Sequence, residues 1–337
     1  MPKKLLIALG IIIIMIIFSG IVWWQKFLIK KPAEKLKIYH IGLLQMSSPV
    51  NENIKGFKMG MEELGYKEGV NIRYTYRNAE GDLKKLEQYA QELVSLKPDL
   101  IFVNTSPATA AIKKATEGTG IPVVFSMVAD PVRAGFVASI KSSGNNLTGT
   151  SCAYIDIAPK RLALLKEINP AIKKVLIFYR PEDLSGGPAT EEILKAAPGI
   201  GVEVVAVPIS KKEDIKNYLD KLKPGEIDAI MDPADAMVNS ALTEWGIEKA
   251  KELKVPLMML GRLECEKGAL ACFGVDYVDL GKQSALIANQ ILRGIAPSDI
   301  PIEMPRKFFF AINLKTAKAI GLEIPERVLS KADLIIE

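Results

Sequence analysis

Few residues in this 337-residue chain are equipped for bond-making chemistry. The only histidine, His40, lies within an apolar strand-like run (IYHIGLL, 38–44), where a core role suits it better than a ligand's. Three cysteines, Cys152, Cys265 and Cys272, include no C-x-x-C. Cys265 and Cys272 can pair across a short loop, but free buried thiols are the favoured reading. One histidine without clustered cysteines builds no zinc site of the usual kinds. There is no G-x-G-x-x-G after a strand, no phosphate loop and no G-x-S-x-G elbow. A hydrolytic triad has no second histidine to draw on, and no carboxylate pair is singled out by its spacing. The chain therefore points to binding rather than turnover, with no cofactor and no metal.

The residues suited to binding are of other kinds. Thr105-Ser106-Pro107 is the strongest local signal. Ser or Thr ahead of a proline-started helix is an N-cap, and the free N–H groups there can hold a carboxylate or phosphate. Asp130-Pro131 follows a strand pattern, so Asp130 can receive an ammonium or start a turn. Asp235 and Asp276 stand at two further strand ends, and Tyr179 with Arg180 ends another. For each, a capping or turn-forming role competes with ligand contact.

Alternating elements must position these residues. Strand patterns over 38–44, 71–76, 100–103 and 122–127 alternate with helical patterns over 53–64, 83–96 and 108–116. The same order restarts with helices at 161–168, 189–196, 211–222 and 238–253 and strands at 175–179, 202–207, 229–231 and 256–260. Strands separated by helices imply parallel sheets covered on both faces. The expected fold is α/β: two doubly wound parallel-sheet lobes, with 149–154, 269–275 and 306–312 crossing between them as a three-segment hinge. Lobe one is expected over 38–150 plus 277–305, and lobe two over 151–276 plus 306–337. Ligands in such sheets bind beyond the carboxyl ends of the strands. That rule selects the loops at 45–50, 104–107, 126–130, 179–187, 232–236, 261–264 and 276–277. Gln45, Ser47, Ser126 and Arg262 join the candidates through it.

The amino terminus adds a location. Residues 5–24 (LLIALGIIIIMIIFSGIVWW) carry no charge. About twenty apolar residues span a hydrocarbon core of about 30 Å, and paired Trp suit its interface. One N-terminal transmembrane helix is favoured over a cleaved signal, whose best cleavage candidate is Ser19-Gly20. Lysines after the run outnumber those before it, which runs against export by the positive-inside rule. Residues 1–37 hold seven Lys and one Glu; the rest has 37 basic against 38 acidic side chains, a charge of −1. The globular part thus has no electrostatic footprint for nucleic acid.

Matching strings are spread along the chain: Gly56-Phe57 with Glu63-Leu64-Gly65-Tyr66, Asp99-Leu100-Ile101-Phe102, Ile121-Pro122-Val123-Val124-Phe125, Asp130-Pro131-Val132, Asn145-Asn146-Leu147-Thr148-Gly149, Gly274-Val275-Asp276-Tyr277 and Pro297-Ser298-Asp299-Ile300-Pro301. In their order and spacing over residues 38–335 the chain resembles the substrate-binding components of bacterial ABC importers, in the family called tryptophan/tyrosine-type. The resemblance implies a type I periplasmic-binding fold that closes on a small solute, commonly an amino acid, and delivers it to a permease driven by an ATPase. By position it implies that Thr105, Ser106, Ser126 and Asp130 face the solute from lobe one, and Tyr179, Asp235 and Asp276 from lobe two and the hinge. The protein is then a monomeric extracytoplasmic binder, anchored through residues 5–24 or secreted if that segment is cleaved. The alternative is an anchored ligand-sensing module without a transport role.

Three departures bear on the solute. The loop after Tyr179 reads Arg180-Pro181-Glu182-Asp183-Leu184-Ser185-Gly186-Gly187 where the family has small polar residues with an Asn-Ser pair. Ala234-Asp235-Ala236 replaces a Thr-Asp-Asn-like stretch, and Gly261-Arg262-Leu263 an acidic loop. Two strand-end arginines lead to the expectation that the solute carries an anionic group met by Arg180, Arg262 or both. The competing expectation is that both point to solvent or pair with Glu182 and Glu264.

Overall fold

Buried apolar strands set the frame. In the computed structural model, which describes residues 15–20, 37–47 and 51–337, β1 (Tyr39–Gln45) has six of its seven residues buried. After it come α1 (Asn51–Glu63), β2 (Ile72–Asn78), α2 (Leu83–Ser95), β3 (Leu100–Asn104), α3 (Ser106–Thr116), β4 (Val123–Val128) and β5 (Leu147–Ser151). These five strands form one parallel sheet in the order β2-β1-β3-β4-β5. A strand buried on both faces needs helices on both, which is why the apolar runs are continuous rather than alternating.

The chain then continues through α4 (Tyr154–Ile168), β6 (Lys174–Tyr179), α5 (Gly186–Ile200), β7 (Glu203–Pro208), α6 (Lys212–Lys221), β8 (Ala229–Met231) and α7 (Ala236–Ala241). A π-turn, Leu242–Gly246, joins α7 to α8 (Ile247–Leu253). Next are β9 (Leu257–Met259), α9 (Arg262–Glu266), β10 (Ala271–Val275), α10 (Tyr277–Leu292), β11 (Phe308–Asn313), α11 (Leu314–Ile320), α12 (Glu326–Leu329) and β12 (Leu334–Ile336). The second sheet runs β12-β11-β10-β9-β8-β6-β7. The sequence pattern predicts a purely parallel sheet here, and the structure departs from it: β11 pairs antiparallel with β10, and β12 follows β11's direction.

Four apolar clusters fill the spaces between sheets and helices. Ile41, Leu43 and Phe102 of the first sheet meet Phe57 and Met61 of α1 and Ala285 and Ile291 of α10. On its other face Leu44, Val103 and Phe125 meet α2 and α3 through Leu86, Leu93 and Ile112. The second sheet packs α4, α5 and α11 on one side, and α6, α7 and α8 on the other. Helices α1 and α10 approach backbone to backbone: a Cβ on Gly56 would sit 2.1 Å from the Val278 carbonyl oxygen. Glycine is the residue that fits there.

The segments read as crossing strands behave otherwise. β5 and β10 each end within one sheet, and the chain leaves them through 152–153 and Asp276 before helices begin. A third passage precedes β11, where Glu303 bridges to Thr150. α4 starts seven residues before the expected Arg161 and carries Pro159 within it. Of the apolar amino-terminal run, residues 15–20 are helical and exposed; the remainder lies outside the described residues. Among the described residues no helix is long and apolar enough to cross a membrane.

Candidate functional site

The carboxyl ends of the first sheet bring Gln45, Asn104 and Ser126 side by side in register, all fully buried. Gln45 donates through Nε2 to the Ser47 carbonyl (2.5 Å) and Asn51 Oδ1 (2.6 Å), while its Oε1 is buried without a partner. Thr105 follows β3 with φ at +76°, a region β-branched residues rarely enter. Its N–H donates to the Ser126 carbonyl at 3.0 Å, and its carbonyl accepts from the Thr109 N–H and hydroxyl. These bonds hold the strained residue in place. The Thr105 hydroxyl is buried and has no partner. Ser106, next in the chain, and Ser47, two residues past β1, are half-buried.

Ser126 is placed differently from the expectation. Its hydroxyl accepts from Asn53 Nδ2 (3.1 Å) and meets Thr150 Oγ1 (3.0 Å), which meets Ser284 Oγ (3.0 Å). This buried chain links α1, β4, β5 and α10 and uses the Ser126 hydroxyl internally. Asp130 accepts the N–H groups of Val132 and Arg133 at 3.0 and 2.9 Å and starts a turn.

In the second sheet the expected anion-holding arginines are occupied. Arg180 donates through Nε and Nη2 to the two oxygens of Asp235, each at 2.9 Å, and through Nη2 to Asp183 at 2.9 Å. Asp235 also caps α7, accepting from Met237 and Val238 N–H. Burial first, then the Asp235 charge, pushes the Asp183 carboxyl above the usual carboxylate range. Arg262 opens α9, is exposed, and pairs with Glu266 at 3.1 Å. Neither arginine pairs with the glutamates named from sequence; the Nε–Nη2 edge of Arg180 is filled, and Arg262 is held through Nε alone. Asp276 caps α10 through the Asp279 N–H at 2.9 Å. Tyr179 is half-buried at the end of β6.

The residue that sequence reasoning missed is Arg161. It lies on α4, wholly out of solvent. Nη1 donates to the Asp232 carbonyl at 2.6 Å; Nε and Nη2 are buried and have no partner. Among the described residues Arg161 makes no ion pair. Asp232, just past β8, is equally buried and uses its oxygens on the Ala234 N–H (2.9 Å) and Asn239 Nδ2 (2.8 Å). Burial raises its carboxyl to about 6, against the pull of the Arg161 charge and these bonds. Close to Arg161, at the starts of α4 and α10, the Tyr154 hydroxyl donates to that of Tyr277 at 3.1 Å. A signal for Arg161 existed: it falls on the apolar stripe of Ile157, Ala158, Leu165 and Ile168.

Several of the unpartnered buried atoms lie at the strand ends, Gln45 Oε1 and Thr105 Oγ1 on one sheet and Arg161 Nε and Nη2 and the Ser185 hydroxyl near the other; Asn53 Oδ1 of α1 and Thr243 Oγ1 of the π-turn are also without a partner. Two surface grooves lie away from them. One, of about 250 Å³, is lined by Gly60, Glu63, Lys282 and Arg306. The other, of about 650 Å³, is lined by Lys113, Lys114, Gly118 and Phe136. Among the described residues no unpartnered buried side chain lines either groove. Arg133, past the first sheet, meets Glu191 of α5 at 3.4 Å.

Residues 44–336 match the family model described as ABC transporter substrate binding protein. The chain belongs to the ABC transporter substrate-binding protein family. That family binds solutes and is not enzymatic. The curated "Tyrosine-binding protein" of Clostridioides difficile is 31% identical over 295 residues, covering 87% of this chain and 84% of that one. Among solved structures of substrate-binding proteins, the ABC domain from Streptococcus pneumoniae in complex with L-Trp has a TM-score of 0.80 at 27% identity, covering 89% of this chain and all of that one. The ligand-free, open structure of a substrate-binding protein with adhesive properties from Clostridium difficile has a TM-score of 0.71 at 30% identity, covering 89% and 99%. The sequence-level resemblance was to this family, and the parallel sheets are those of its periplasmic-binding-type fold.

Proposed function

We propose that this protein is the extracytoplasmic solute-binding component of an ABC importer, closing two lobes around an amino acid and presenting it to a permease driven by an ATPase. Residues 38–150 with 277–305 form one lobe in this reading, and 151–276 with 306–337 the other. Residues 5–24 tether it to the membrane, or release it if cleaved, and it acts as a monomer.

One observation carries the reading. Buried polar atoms without partners are costly, about 1–3 kcal/mol each, and here Gln45 Oε1, Thr105 Oγ1, Arg161 Nε and Nη2 and the Ser185 hydroxyl lie at or beside the carboxyl ends of the two sheets. A small polar solute between those ends supplies the missing partners. Gln45, Ser47, Thr105 and Ser106 are its contacts from lobe one, with Asp130 at the rim. Tyr179 and Asp276 contact it from lobe two and the hinge. Ser126, Arg180 and Asp235 brace the walls behind it. The amino-acid class is supported by relatives whose names carry tyrosine and L-Trp. Closure is supported by the better match to the L-Trp complex than to the open structure, despite lower identity.

Mass spectrometry of molecules released from protein purified without added solute tests the reading. An amino acid in near-stoichiometric amount is expected. A sugar, or a metal chelate, would overturn the amino-acid assignment.

A further inference from the structure

We propose that Arg161 is the anion anchor of the cleft: its guanidinium grips the carboxylate of the bound solute through Nε and Nη2. The inference rests on the amino-acid reading above and adds the residue that recognises the acid.

The free atoms themselves carry the argument. Nε and Nη2 are the two donors along one edge of the guanidinium plane, the edge that matches a carboxylate with two parallel hydrogen bonds. The same molecule shows this edge filled. In Arg180 it is Nε and Nη2 that donate to the two oxygens of Asp235. In Arg161 the third nitrogen is fixed to the Asp232 carbonyl, which leaves that edge turned away and empty. A fully buried cation without an ion pair is unfavourable unless an anion joins it. The nearest carboxylate, Asp232, has its oxygens on Ala234 and Asn239 instead.

Position supports the same occupant. The Asp232 carbonyl lies at the carboxyl end of β8, where solutes bind in open α/β sheets. Tyr154 and Tyr277, hydrogen-bonded to each other where the chain passes between sheets, lie near the guanidinium, as does the Cys272 thiol. A carboxylate placed here couples the second sheet to the hinge, while Thr105 and Gln45 offer oxygens to the rest of the solute. Arg161, and neither Arg180 nor Arg262, then makes the solute's acid group obligatory.

Calorimetry on the full-length protein tests this with the twenty amino acids and with the carboxamides of those that bind, L-tyrosinamide and L-tryptophanamide among them. Wild type should prefer acid over amide by at least about thirtyfold, the low end for removing one partner of a desolvated charge pair. Arg161→Gln should lose acid binding and shrink the preference to about threefold or less. Arg161→Lys, a point charge without the fork, should fall between. If Arg161→Gln does not fold, the wild-type preference and Arg161→Lys still decide. Equal binding of acid and amide by wild type would overturn the inference and leave the amino-acid reading standing. The same preference in Arg161→Gln as in wild type would also overturn it. Failure of wild type to bind any amino acid would overturn the reading itself, and the anchor with it.

Discussion

Arg180 and Asp235, 55 residues apart, lie edge to edge: Nε and Nη2 of the arginine are each 2.9 Å from one carboxylate oxygen. The Asp235 side chain is fully buried, and that of Arg180 retains 22% of its surface. The pair fastens the loop after β6 to the start of α7, and it occupies the Nε–Nη2 edge of Arg180.

Breaking this pair should destabilise the fold rather than change what it binds. Arg180→Ala leaves Asp235 buried without its cation and should lower the unfolding free energy by about 3 kcal/mol. Urea unfolding measures the loss. The preference of the variant for acid over amide should match wild type; its disappearance would move the anion from Arg161 to Arg180.

The glycine contact between α1 and α10 should be intolerant of a methyl group. Alanine at Gly56 would meet the Val278 carbonyl at 2.1 Å, and at Gly281 the Asn53 carbonyl at 2.1 Å. Each substitution should cost about 1–3 kcal/mol by forcing the helices apart. At Gly199, near the end of α5, an added methyl group would have nothing within 4 Å of it, so Gly199→Ala should stabilise by up to about 1 kcal/mol. Thermal melts of the three variants check the contrast.

Asp232 should give the fold a pH dependence of opposite sign to that of an ordinary paired carboxylate. Its carboxyl titrates near about 6 when folded, against 3.8 for an unperturbed group. The native state therefore holds the proton more tightly, and this group's contribution to stability falls as pH rises from about 4 to about 6. The stability of wild type relative to Asp232→Asn should decline across that interval and level off above about 7. A flat difference would mean that Asp232 ionises normally.

Residues 39–337 form one compact unit. Made alone, they should be a soluble monomer with the melting temperature of the full chain, while the full chain sediments with membranes. Aggregation of the shorter protein, or a full-length protein free in solution, would contradict the division between anchor and binder.

Much of the strand and helix order is legible in the sequence because buried parallel strands print continuous apolar runs. β1, β3, β4 and β6 fall within two residues of their expected limits. α10 is not among the expected helices, because residues 277–292 follow directly on a segment assigned to the hinge. That omission explains the misplacement of Ser126: it shares a strand face with Val124, and α10 covers that face. The two arginines escape sequence reading for a different reason. Their partners are set by tertiary contact, Asp235 being 55 residues from Arg180, and no local pattern announces such a pair. Arg161 escapes it because an arginine on an apolar stripe reads as a helix end, whereas α4 begins two turns earlier. The antiparallel β11 is hidden because strand direction depends on the path of the preceding connection, not on residue type.

A crystal structure of the protein carrying its co-purified solute tests the central claim most directly. The solute should lie between the two sheets' carboxyl ends, with its carboxylate on Arg161 Nε and Nη2 and a polar atom at the Thr105 hydroxyl. A solute bound in either surface groove, or strand ends left empty at saturating solute, would contradict the account.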